Sequence, residues 1–212
     1  LFDTLDDKNK DDKAYLPIEA KTSKKHKKSC NNITVKSWKT ECLFLDWDIE
    51  TKNEKLKNLA FNIISYDRTG ADIIALQEVE NLNILNQLFD LLKPYGYQDL
   101  MLIEGKDYRG IDTALISKYK ILDAKLHYIT FSGKFEGKDT RPILDATIDV
   151  NGSKVKIYNV HFPSGFHDVS MRIDSLNLLS ELLEDHNYPT IALGDFNICL
   201  LYTSDAADEK YR

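Results

Sequence analysis

With 212 residues, 42% of them hydrophobic, the chain can bury one sizeable core, and no apolar run approaches the roughly 20 residues that cross a bilayer. The formal net charge of −6 argues against tight non-specific DNA binding by the chain as a whole, which depends on Lys and Arg neutralising phosphates. A metal-dependent phosphodiesterase is still allowed, because there a cation brings the positive charge to the phosphate.

Residues 1 to about 50 read as irregular and strongly charged. LFDTLDD resembles a strand end running into a turn, and Lys21 to Ser29, KTSKKHKKS, is a basic run without hydrophobic period. Such a run reads as a solvated loop, with a phosphate-contacting segment as the alternative. Trp38, Leu43, Leu45 and Trp47 are expected to pin this loop to the body. Cys30 and Cys42 flank a short segment and either close a small disulfide loop or stay as thiols; no further Cys or His nearby completes a zinc set. A bridge would favour export to a periplasmic or extracellular compartment.

A helix is predicted from near Thr51, where Thr51-x-x-Glu54 has capping-box spacing, with Leu56, Leu59, Ala60, Ile63 and Ile64 as its apolar stripe. A strand follows over Asp72 to Val79, apolar on both faces, then a second helix from about Leu82 to Lys93 that stops at Pro94. Short strands are expected over Asp99 to Ile103, Ile111 to Ser117 and Leu122 to Phe131. Arg141 to Phe162 reads as a hairpin with Asn151-Gly152 as its two-residue turn. Pairing Val150 with Ser153 sets Ile148 opposite Val155, Ala146 opposite Ile157 and Leu144 opposite Asn159, so the apolar residues share one face and Asp145, Thr147 and Asp149 the other. Continuing to Pro142 opposite His161 brings Arg141 to the same end, provided a bulge or bend near Pro142 turns it toward His161. A third helix over about Asp168 to Asp185 leads through Pro189 into a buried strand, TIALGD.

Three strands run from apolar into polar residues on a single face. Ile191 and Leu193 precede Asp195 and Asn197, Ile74 and Leu76 precede Glu78 and Glu80, and Val155 and Ile157 precede Asn159 and His161. A lone Asp-x-Asn after a strand is an ordinary polar turn. Recurring on three strands, the pattern points to a ligand site at the strand ends.

LFDT, IIALQEVEN, YRGIDTALIS, TRPIL, NVHFPSG and IALGDFN follow one another in this order, and across about residues 1 to 198 the chain resembles the endonuclease/exonuclease/phosphatase superfamily, with its deoxyribonuclease-I-like fold. The resemblance implies an α/β (α+β) four-layer sandwich, two mixed β-sheets flanked by helices, and a phosphate-ester hydrolase, foremost a nuclease-like phosphodiesterase working by in-line water attack. It implies that Glu78 holds Mg²⁺, with Mn²⁺ or Ca²⁺ as substitutes, one carboxylate being completed by waters and substrate oxygens. His161 then contacts the scissile phosphate or moves a proton, Asp195 orients or deprotonates the attacking water, and Asn197 and Arg141 contact phosphate oxygens. Arg109 matches as a further phosphate ligand or a structural ion pair with Asp112. Asn159 either meets the phosphate or, like Glu80 and Asp112, orients the groups that do. The partner implied is a phosphate ester, nucleic acid being favoured.

The chain departs from the family pattern at both ends. Family members open with a strand carrying a metal-positioning Asn and close with a Ser-Asp-His strand, and neither has a match here; Glu184-Asp185-His186 precedes GDFN and is no substitute. Residues 199–212, with CLLYTSDAADE, read like a translated sequencing adapter. The expectation is therefore a partial domain over 1–198, with a loop insertion over about 4–50, a non-native tail, and weak or absent turnover. Competing readings are a phosphoinositide phosphatase or a sphingomyelinase-like enzyme of the same superfamily, or a metal- and phosphate-binding module without turnover.

Overall fold

The computed structural model describes residues 24–32, 34–44, 49–106, 111–184 and 188–198. Helices form where the 3.6-residue stripe is cleanest. In α4 (Leu82–Leu92) the stripe Ile84, Leu85, Leu88, Phe89 and Leu92 is buried, and Asn81 caps its start by accepting a hydrogen bond from the Ile84 amide at 2.9 Å. α3 (Ile49–Ser65) buries Leu56 and Ala60 beside it, and the Lys52 ammonium reaches Gln87 Oε1 at 2.6 Å, tying the two helices together. The segment expected to be irregular differs: Lys24–Asn31 and Lys36–Phe44 form helices α1 and α2, with Cys30 buried and disulfide-bonded. LFDT, Leu45, Trp47, Arg109, the Trp38 and Cys42 side chains and the 199–212 tail lie outside what is described.

The strands make two sheets. β1 (Ile73–Val79), β3 (Asp112–Ser117) and β2 (Asp99–Leu102) form the first, antiparallel throughout in the order β1-β3-β2. β4 (Lys120–His127), β5 (Ile143–Val150), β6 (Ser153–His161) and β7 (Thr190–Asp195) form the second in chain order, with β7 parallel to β6 after the crossover through α5 (Val169–Glu184). The hairpin register is the predicted one, Val150 facing Ser153 and Leu144 facing Asn159. Its turn works because Asn151 and Gly152 both take positive φ, 54° and 87°, which matches the twist of the flanking strands.

Three apolar clusters stack these elements into four layers. Leu56, Leu85 and Leu88 of the helices meet Val79, Ala114 and Ile116 of the first sheet. Leu115 of the first sheet meets Leu144, Ala146, Ile148 and Ile157 of the second, with Leu193 against them. Ile143, Tyr158 and Val160 on the outer face of the second sheet meet Met171 and Leu179 of α5. β4 ends at His127, earlier than the alternation suggested, and Ile129 and Phe131 leave the strand to fill the α5 layer instead.

The face of β5 that carries Asp145 holds the main buried charge. Asp145 is 1% exposed and sits 2.6 Å from Lys156 Nζ and 2.9 Å from His127 Nε2, with Lys125 at 3.7 Å. Burial pushes its carboxyl upward, but hydrogen bonds from Lys156 and His127, and their charges, outweigh burial and hold it below the usual carboxylate range. A carboxyl depressed on folding stabilises the native state above its unfolded value near 3.9, and that contribution is lost as pH falls through the folded value. Asp145→Asn should therefore lower stability at neutral pH by about 3 kcal/mol, since it strands partly buried cations. In denaturant titrations the gap from the parent should narrow progressively below about pH 4.

Candidate functional site at the junction of the two sheets

β1, β6 and β7 approach one another at one end of the sandwich. What joins them is Asn159, which is fully buried on β6. Its Nδ2 donates to the Leu76 carbonyl at 3.0 Å and to the Ala114 carbonyl at 2.9 Å, while its Oδ1 accepts from Gln77 Nε2 at 2.7 Å. A side chain of the second sheet thus takes up backbone acceptors of β1 and β3 in the first. With both amide hydrogens engaged, Asn159 has no donor left for a phosphate in this arrangement. Of the two readings of Asn159, its geometry fits the orienting one, in which it bolts the two sheets together.

The bolt stands beside an irregularity in β1. Pairing with β3 shifts register between Leu76 and Val79, and Glu78 takes a left-handed φ of 58°. A bulge inserts one residue and re-aims the side chains after it. Simple alternation, which set Glu78 and Glu80 on one face, is overturned: the Glu78 side chain is 61% exposed, Glu80 is 2% exposed, and Gln77 is the side chain that reaches between the sheets. A β-branched or bulky residue in that conformation would be strained, and such strain clusters at functional sites.

Across the junction, His161 ends β6, 7% exposed. Its Nε2 lies 4.0 Å from Glu78 Oε1, so the ring nitrogen and the carboxylate are neighbours without bonding directly. Asp195 ends β7 as the register partner of His161. Gly194 makes that approach feasible: its φ is 127°, and a Cβ there would run into the Val160 backbone and Asn159 Oδ1.

The Phe162 backbone collects the remaining groups. Its N–H donates to the Asp195 carbonyl at 2.8 Å, and its carbonyl accepts from Asn197 Nδ2 at 2.8 Å and from an Arg141 guanidinium nitrogen at 3.1 Å. Arg141 is buried and lies outside β5, which begins at Ile143. Its guanidinium reaches the carbonyl of the residue that follows His161. Asn197 takes a φ of 50°, and its amide closes an Asx turn on Asp195 Oδ1 at 2.8 Å, while Phe196 faces the other way and stacks edge-on against Phe162. Asp112 is buried at the start of β3 and accepts from the Gly105 amide at 2.8 Å, holding the β2–β3 connection against Pro142. The junction thus brings together Glu78, His161, Asp195, Asn197 and Arg141, with Asn159 and Asp112 behind them.

Sequence reasoning missed Gln77 and the Phe162 carbonyl. Gln77 follows Ile73 and Ala75 onto the inter-sheet face by simple alternation, whereas Ile74 and Leu76, whose parity Glu78 shares, face the helices, and the bulge departs from that parity at Glu78. For the implied cation, no group of three His, Cys, Asp or Glu side chains is assembled among the described residues. A single projecting carboxylate fits an ion that keeps several waters and shares substrate oxygens, as Mg²⁺ does, and does not fit a fully caged one. Asn159→Ala should leave two carbonyls and the Gln77 amide unsatisfied, and calorimetry should show a loss of at least about 3 kcal/mol. A variant as stable as the parent would remove Asn159 from this role.

The model of the endonuclease/exonuclease/phosphatase family matches residues 53–208. Among curated protein sequences none matches. Solved structures do. One is a humanized D. rerio TDP2, 19% identical, TM-score 0.55, covering 73% of this chain and 63% of that one. Another is a beta hairpin deletion mutant of beta toxin from Staphylococcus aureus, 17% identical, TM-score 0.58, covering 80% and 66%. A third is the mannosyl-6-phosphatase of Bacteroides thetaiotaomicron, 18% identical, TM-score 0.55, covering 72% and 60%. At these identities the likeness establishes the fold, and the chain spans less than two thirds of each of the three. With its sheets, helical layers and motif order in agreement, the chain belongs to the endonuclease/exonuclease/phosphatase family.

Proposed function

We propose that the chain carries the hydrolytic site of a divalent-metal-dependent phosphodiesterase that acts on nucleic-acid-like substrates by in-line attack of water. The observation that carries the proposal is Glu78 in its left-handed bulge, 4.0 Å from His161 Nε2. That pair sets a hard-cation ligand beside a group suited to proton transfer near neutral pH.

Glu78 would hold the cation. A divalent metal there supplies positive charge against the phosphoryl oxygens. His161, fixed by β6 and largely shielded from water, binds the scissile phosphate or exchanges a proton at Nε2. Asp195 is read as the group that orients the attacking water, its own position set by the Asx turn with Asn197. Arg141 and Asn197, tethered to the same carbonyl, are read as phosphate ligands that stabilise charge developing on the phosphoryl oxygens. Asn159, Gln77 and Asp112 keep the strands that carry these groups in register. Little else is required of the protein in phosphoryl transfer beyond positioning and charge stabilisation. The disulfide-bonded Cys30 supports an oxidising compartment, hence export.

Hydrolysis of bis(p-nitrophenyl) phosphate and nicking of supercoiled plasmid, each with Mg²⁺ and with EDTA, test the reaction. Turnover should require the metal and fall at least about 100-fold in Glu78→Ala and in His161→Ala. Metal binding is read separately from Mn²⁺ spectra by electron paramagnetic resonance, where Glu78→Ala should weaken affinity roughly tenfold or more. Turnover that survives EDTA, or folded variants as active as the parent, would contradict the proposal. Cleavage confined to a phosphoinositide or sphingomyelin would keep the site and change the substrate.

A further inference from the structure

Across positions 21 to 44 every formally charged residue but Glu41 is a lysine, in a chain whose net charge is −6. α1, KKHKKSCN, has no acidic residue in its first turn. Lys24, Lys27 and Lys28 are exposed, three and four residues apart, so their ammonium groups stand together on one side of the helix. Among the described residues no ion pair engages any of them, nor Lys36 at the exposed start of α2.

This helix forms against its own electrostatics. Like charges at these spacings destabilise an isolated helix, and cations in the first turn oppose the positive end of the helix dipole. An eight-residue helix of this composition has little intrinsic stability. It is held by packing instead: Cys30 is buried and disulfide-bonded, α1 packs against α2, and Lys39 Nζ reaches the Asn31 carbonyl at 3.4 Å. A local arrangement that breaks the usual rules and is maintained by a covalent tie marks a candidate for function.

We propose that α1 and α2 form a binding surface for the phosphodiester backbone of a single-stranded nucleic acid, built from residues other than those of the Glu78 junction. Net charge does not exclude this, because at physiological salt a surface is felt over only about 8 Å and the local charge there is positive. Two features favour nucleic acid over an anionic lipid surface. α1 exposes no apolar side chain, its only apolar residue being the buried Cys30, whereas a helix lying in a membrane interface needs an apolar face. On α2, Lys36, Thr40 and Phe44 recur every four residues on one stripe, with Phe44 76% exposed, which sets a ring beside the cations where an unpaired base can stack.

The inference stands on charge and exposure alone and is independent of the reading of the Glu78 site, so it is measured in EDTA. Anisotropy of a labelled oligothymidylate is titrated with the 212-residue chain between about 50 and 200 mM salt. Binding should weaken linearly on a log–log plot. Replacing Lys24, Lys27 and Lys28 together by Gln should weaken it at least tenfold and reduce the slope by about 2. Replacing them by Arg should preserve binding, and Phe44→Ala should weaken it with the slope unchanged. Circular dichroism confirms folding of each variant, and Lys120→Gln on exposed β4 serves as the control. Absence of binding at the lowest salt, or equal loss in the Lys120 control, would overturn the proposal. So would a triple Gln variant that loses binding to phosphatidylserine vesicles but not to the oligonucleotide.

Discussion

The buried amide of Asn159 is the interaction on which the candidate site depends. Two sheets that meet only through aliphatic side chains can slide, because the hydrophobic effect is non-directional. One amide that satisfies the Leu76 and Ala114 carbonyls and the Gln77 side chain fixes their relative position at the end where the polar residues emerge. In a low-dielectric interior those bonds are costly to leave unmade. Asn159 lies two residues before His161, and Gln77 is adjacent to Glu78. The bolt therefore sets the strand positions on both sides of the Glu78–His161 pair.

Three backbone exceptions lie at the same place. Glu78 and Asn197 take left-handed φ values, and Gly194 takes one next to the Val160 backbone, where no side chain fits. Each works against the neat alternation of a strand. Each also releases a polar group from the line of the core: Glu78 outward through the bulge, Asp195 beside His161, Asn197 back onto the Phe162 carbonyl. The remaining layers are conventional, with α3 and α4 covering one sheet and α5 the other, and the Asp145 cluster placed on a different face of the second sheet from the interior contacts.

Much of this was legible in the sequence, and the physical reason is periodicity. The hairpin register followed from Asn151-Gly152 and alternating hydrophobicity, because a one-residue slip would turn every apolar side chain to the wrong face. α3, α4 and α5 followed from apolar stripes. Of the three strands that pass from apolar to polar, β6 and β7 share the inter-sheet face through Val155, Ile157 and Leu193, while Ile74 and Leu76 of β1 turn to the helices. Alternation failed at Glu78, where the backbone departs from the two-residue repeat, and a bulge leaves no mark in composition. Asn159 looked like a ligand because an amide beside a histidine carries no sign of whether its partners are backbone carbonyls or a phosphate. α1 looked like a loop because a helix held by a covalent tie and packing needs no hydrophobic period.

The central claim is that the bolted junction presents Glu78, beside His161 and Asp195, as the ligand of a divalent cation. Anomalous diffraction from crystals grown with Mn²⁺ tests it most directly. The account predicts a single strong peak about 2.1 Å from a Glu78 carboxylate oxygen, with waters completing the coordination and Asn159 still bonded to Leu76 and Ala114. A peak elsewhere on the chain, or a Glu78 carboxylate that stays without metal at saturating Mn²⁺, would contradict it.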